Sequence, residues 1–118
     1  MLATLANIAV ALVALSHVGF LVLEMFLWDR PLGRKVFALT PEQSKLTAPL
    51  AANQGLYNGF LAAGLVWGLA SDSVPVLTFF LVCVVIAGIF GGLTAKRSIL
   101  VIQALPAIVA LALLYASR

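Results

Sequence analysis

Hydrophobic positions fall into four long blocks, separated by short polar breaks, across residues 2–28, 50–70, 74–94 and 99–115. About 20 apolar residues suffice to cross a bilayer as a helix, so each block reads as a membrane-spanning helix. Nothing is left over for a soluble domain. The pattern predicts an all-α, single-domain, integral membrane four-helix bundle occupying residues 1–118, with consecutive helices antiparallel because their connections are short. The first block lacks a positive leading segment, is too long for a signal-peptide core and is followed by charge, so it reads as a retained helix.

The polar breaks carry their own signals. Asp29-Arg30-Pro31-Leu32-Gly33-Arg34 reads as a turn ending the first helix. In Thr40-Pro41-Glu42-Gln43, Thr40 fits an N-cap, Pro41 the first helical position and Gln43 the return bond of a capping box. This predicts a short surface helix over residues 41–47, which Pro49 then breaks or kinks into the second span. Asp72 or Ser73 is expected to cap the third span, and the connection after residue 94 is shorter still.

Composition agrees with the pattern: 64% of residues are hydrophobic and 9% charged, against about 25% charged in soluble domains. The net charge of +3 does not point to nucleic acid. Arg30, Arg34, Lys35, Lys45, Lys96 and Arg97 sit in the first and third connections, whereas the second has no basic residue. The positive-inside bias places those two connections in the cytoplasm and both termini outside, a multi-pass topology in the inner membrane. Arg118 alone runs against this bias. Trp28 marks the cytoplasmic interface, and Trp67 and Tyr115 the opposite one. Cys83 stands alone in an apolar run and reads as a small buried hydrophobe; no metal-ligand spacing and no cofactor motif is present.

Glycines define packing faces. On the second span, Gly55 and Gly59 share one side with Ala62, Ala63 and Val66, while Gly64 and Gly68 lie roughly opposite, at about 100° per residue. Gly88, Gly91 and Gly92 share a face of the third span. Such small-residue steps let backbones approach closely. They imply tight bundle packing, or contact with a second copy or another subunit.

The chemistry lies in the polar residues inside the blocks. Glu24 is the only acid within an apolar run, and His17, the only histidine, lies two helical turns earlier. Asn53, Gln54, Tyr57 and Asn58 form an arc on the second span, and Gln103 faces inward on the fourth beside Pro106, which removes a backbone donor from Ile102. At about 1.5 Å rise per residue, depths from the cytoplasmic boundary come to roughly 6 Å for Glu24, 5 Å for Asn53, 10 Å for Tyr57, 12 Å for Asn58, 8 Å for Gln103 and 16 Å for His17. All but His17, which sits above them close to mid-bilayer, therefore form one layer in the cytoplasmic half, and ionisable side chains at such depth mark functional sites by default.

Several roles fit this layer. It reads as a pocket for a small apolar or amphipathic molecule, with His17, Glu24 and Tyr57 as candidate acid–base groups and Asn53, Gln54, Asn58 and Gln103 as orienting groups. It reads equally as a structural network in which Glu24 accepts from Asn53, Gln103 or Tyr57. A third reading is a proton-coupled transporter, since a lone glutamate in the first span is similar to small multidrug-resistance transporters. The rest of that pattern is missing here.

The run Asn53-Gln54-Gly55-Leu56-Tyr57-Asn58-Gly59-Phe60-Leu61-Ala62-Ala63-Gly64-Leu65 is distinctive. With it come Glu24-Met25-Phe26-Leu27-Trp28, Ala87-Gly88-Ile89-Phe90-Gly91-Gly92-Leu93-Thr94 and Gln103-Ala104-Leu105-Pro106-Ala107. Over nearly its whole length the chain resembles the small bacterial membrane proteins grouped as domain of unknown function thirteen-zero-four. The resemblance implies a four-helix membrane protein and carries no assigned activity.

Overall fold

The structure, a computed structural model, describes residues 1–118 and is all-α. Its helices are α1 (Leu2–Met25), α2 (Pro31–Val36), α3 (Pro41–Ala70), α4 (Val74–Thr94) and α5 (Leu105–Ala116), with a π-helical turn at Leu100–Ala104 leading into α5. Two of them, α1 and α4, are long and apolar enough to cross a membrane, and Leu100–Ala116 forms a shorter apolar stretch.

Three expected boundaries shift. The first helix ends at Met25 rather than at residue 28. Within the segment expected to be only a turn, Pro31 starts α2 from an extended Arg30, and Ala38 at φ 54° follows its end. The surface helix expected over residues 41–47 is not separate: α3 runs unbroken for 30 residues through Pro49. Pro49 lacks the N–H that would bond to the Lys45 carbonyl. The first turn of α3 is fixed as expected: Gln43 N donates to Thr40 Oγ1 at 3.1 Å and Thr40 N to Gln43 Oε1 at 3.0 Å. Ser73 caps α4, accepting from Val76 N.

The chain divides into two compact units. One comprises Met1–Leu15 and Leu61–Arg118. Its core joins Val10, Val13, Leu65, Leu77, Leu81, Val84, Ala107, Ala110 and Leu114. Glycines set the spacing between its helices. A Cβ at Gly68 would meet Leu77, one at Gly64 would meet the Phe80 ring, and one at Gly88 would lie 2.7 Å from Ala104 N. Gly91 and Gly92 face Ile99 and Leu100 in the same way. Gly88 and Gly92 are thus buried against the chain's own π turn. That turn follows from Pro106. With no donor at Pro106 to bond the Ile102 carbonyl, the ladder shifts register and Leu105 N reaches Leu100 O, an i→i−5 bond. Arg118, whose position opposed the charge bias, pairs with Asp72 at 3.2 Å, and Tyr115 OH lies 2.8 Å from Thr78 Oγ1.

The other unit, Ser16–Phe60, holds the end of α1, all of α2 and the first two-thirds of α3. Gly55 and Gly59 seat α3 closely against α1: a Cβ at Gly55 would lie 2.6 Å from Met25 Cγ and 3.1 Å from Glu24 Cβ, and one at Gly59 would lie 2.7 Å from Leu21 Cδ1.

Candidate functional site

Within the Ser16–Phe60 unit, Glu24 and Asn58 are brought together. Glu24 lies in the last turn of α1, where the partial negative charge of the helix end offers a carboxylate no favourable field. Its partner comes from α3: Asn58 Nδ2 donates to Glu24 Oε1 at 2.5 Å. Asn58 is 5% exposed and Glu24 half-buried.

Depth counted along the backbone sets these residues several ångströms apart and favours Asn53 as partner. The direction of the side chains decides otherwise. Helical side chains lean toward their own N-terminus, so on antiparallel α1 and α3 Glu24 leans one way along the axis and Asn58 the other, and the two meet. Asn53, Gln54 and Tyr57 are exposed instead; Tyr57 is 51% exposed and stacks near Phe60 at 6.0 Å. Asn53 and Tyr57 lie on the side of α3 turned away from Gly55, while Gln54 lies one turn before Asn58 on nearly the same ridge.

His17 is fully buried, 1% exposed, with Phe20 edge-on to its ring at 5.1 Å. It stands about 10 Å along α1 from Glu24, too far for a direct hydrogen bond. The three candidate acid–base groups are thus spread over a buried helix face, a half-buried helix end and an exposed side of α3. Gln103 belongs to the other unit, half-buried on the π turn.

A second polar cluster sits at the α1–α2–α3 junction and is absent from the sequence reading. Asp29 Oδ1 accepts from Ser44 Oγ at 2.6 Å and from Arg34 at 3.1 Å. Ser44 is completely buried and also bonds the Pro41 carbonyl. Trp28 Nε1 donates to Thr47 Oγ1 at 2.9 Å, Thr47 donates to the Gln43 carbonyl, and the Trp28 indole packs on Phe37 with centroids 4.6 Å apart. Trp28, expected as an interface anchor, thus also fastens the start of α3. The sequence signal was a Trp-Asp pair at the end of the first apolar block and Ser44 and Thr47 one turn apart in the helix that follows.

The Ser44 hydroxyl is the main influence holding the Asp29 carboxyl below the usual carboxylate range, with Arg34 and Lys45 adding to it against some desolvation. A carboxyl depressed in the folded state adds stability above its unfolded-state pKa, about 3.9, and that contribution is lost as pH falls through the lower folded value. The difference in melting temperature between the wild type and Asp29→Asn is therefore expected to be full at neutral pH and to shrink below about pH 4. Thermal melts in detergent from pH 7 to pH 3 check this; a constant difference would show that the Asp29 charge contributes nothing.

Comparison with known proteins adds the family. The chain is 29% identical over 104 residues to "Uncharacterized protein YpaA" of Lactococcus lactis subsp. lactis (strain IL1403), covering 85% of this chain and 87% of that protein. No solved structure matches it. The family described as "Protein of unknown function (DUF1304)" matches residues 11–115, nearly the whole chain, and the chain belongs to that family.

Proposed function

We propose that the chain is a four-span, multi-pass protein of the inner membrane, a helical bundle with both termini outside, and that the Glu24–Asn58 pair binds the polar head of a small amphipathic molecule entering from the cytoplasmic half. The apolar lengths of α1 and α4 support the membrane placement. So do the large apolar side chains exposed on each of the three long helices, among them Leu15, Phe60, Phe79 and Phe90. At about 1.5 Å per residue, α3 is about 45 Å long, more than a hydrocarbon core requires.

The observation that carries the binding role is a carboxylate kept half-exposed inside a span, with one oxygen fixed by a buried amide. Such a group is held in a set orientation and remains available to a donor from outside the chain. Gln54, exposed one turn away on the same ridge, offers a second polar contact.

Protein extracted from membranes in polymer-bounded lipid discs, analysed by mass spectrometry for co-purifying small molecules, tests this. The wild type is expected to retain a molecule that Glu24→Gln loses by about tenfold or more, the scale of one charge-assisted hydrogen bond. Identical profiles would remove the binding role.

The same bond, closed between glycines, also favours a purely structural reading, in which Glu24 and Asn58 fasten α1 to α3 and bind nothing else.

A further inference from the structure

One side of α3 stays open over its first two-thirds, and it is not an ordinary lipid-facing side. Leu46, Leu50, Asn53, Tyr57 and Phe60 follow one another at steps of four, three, four and three residues, the alternation of a helix–helix seam. All five are exposed, Leu46 and Leu50 at 81% and 73%. Further along the same side, Gly64 and Gly68 are covered by Phe80 and Leu77 of α4. This side of α3 is therefore a packing face that lacks a cover only between Leu46 and Phe60.

Under the membrane placement proposed above, Asn53 and Tyr57 lie about 5 and 10 Å inside the hydrocarbon boundary, where an unpaired amide is costly and gains from a hydrogen-bonding partner. Asn53 carries both a donor and an acceptor, so it is complementary to itself. Copies of one chain in one membrane share an orientation. A two-fold axis along the membrane normal would set their α3 helices parallel, residue against like residue. At a seam position of a parallel pair, an asparagine fixes register by bonding to its counterpart.

We propose that the Leu46–Phe60 side of α3 is the interface of a parallel homodimer, in which Asn53 of each copy bonds to Asn53 of the other and the Tyr57 and Phe60 rings pack across the axis. This rests on the membrane placement of α3 and is independent of any ligand at Glu24, which lies against the Gly55 side. No acidic or basic residue occurs on the stripe, so nothing opposes the approach of two copies.

Single cysteines placed in native membranes test it, in a background where Cys83 is replaced by alanine. Under a mild oxidant, cysteine at positions 50, 53, 57 and 60 is expected to give disulfide-linked dimers. Cysteine at Leu56 or Val66, exposed but off the stripe, is expected to give few. Native mass spectrometry of the unaltered protein should show twice the 12.4 kDa chain mass, and Asn53→Leu should weaken association about tenfold, the loss expected for one hydrogen bond between membrane helices. A chain of single mass, or cross-linking equal at 56 and 66, would overturn the dimer. Carbonate extraction separates the two ideas: a chain that stays in the membrane without cross-linking refutes the dimer alone, and a chain that is released refutes the membrane placement.

Discussion

Gly33→Ala is expected to be the most damaging single-methyl change in the chain, costing about 3 kcal/mol, the upper part of the usual range for overpacking. Gly33 is buried in α2. A Cβ there would overlap the Leu27 carbonyl oxygen and lie 2.7 Å from the Leu27 carbonyl carbon and 2.8 Å from Trp28 Cα. These are backbone atoms, so no rotamer change relieves the overlap. Relief requires α2 to move off the Leu27–Trp28 backbone, and that movement pulls on Trp28 and Asp29, which hold the first turns of α3 through Thr47 and Ser44. Loss of the Trp28 emission signature, followed in a Trp67→Phe background during unfolding, reads this directly. Gly19→Ala is the control. Nothing lies within 4 Å of a Cβ at Gly19, and in mid-helix alanine is favoured over glycine by up to about 1 kcal/mol. Equal stability of the two variants would show that α2 does not pack on the backbone of Leu27 and Trp28 as described.

The contrast between these glycines marks what was legible in the sequence. Signals that act within one turn were readable: the Thr40–Gln43 box and the Ser73 cap depend on residues three apart, and both form. The glycine steps identified where helices approach, because a missing side chain is visible without knowing the partner. What the sequence could not reveal was decided by residues far apart. α3 runs unbroken through Pro49, and Trp28 and Asp29 hold the turns on its N-terminal side by bonds spanning 19 and 15 residues. The consequence of Pro106 was half visible: the orphaned Ile102 carbonyl follows from the ring, but the resulting π turn is also packed against Gly88 and Gly92, far away in the chain. The polar layer was placed by backbone height alone. Height ignores the opposite lean of side chains on antiparallel helices, and it therefore favoured Asn53 over Asn58 as the partner of Glu24. Nor could it separate the ridge that meets α1 from the side that carries Asn53 and Tyr57.

Asn58→Leu is expected to cost about 2 kcal/mol, because it keeps the volume of a buried side chain but removes the donor from a carboxylate that then stands unpaired. Glu24→Gln keeps an acceptor in the same place, and its cost is expected to stay below about 1 kcal/mol. The informative variant is the pair Glu24→Met with Asn58→Leu. Replacing a buried polar pair by apolar residues of similar volume is commonly neutral or stabilising. If the bond serves only to join α1 to α3, the double variant should recover wild-type stability and retain function, with a coupling energy above about 1 kcal/mol in the cycle. If Glu24 holds a ligand, the double variant should recover stability yet lose the co-purifying molecule, since an apolar seam joins the helices without offering a polar contact. Unfolding in mixed detergent micelles gives the first quantity and mass spectrometry of the lipid discs the second. An Asn58→Leu cost that is the same with and without Glu24 would mean the two side chains do not act on each other, and would sink both readings of the site. Stability and binding, measured on the same variants, thus separate two roles that a single hydrogen bond between α1 and α3 cannot distinguish by its geometry.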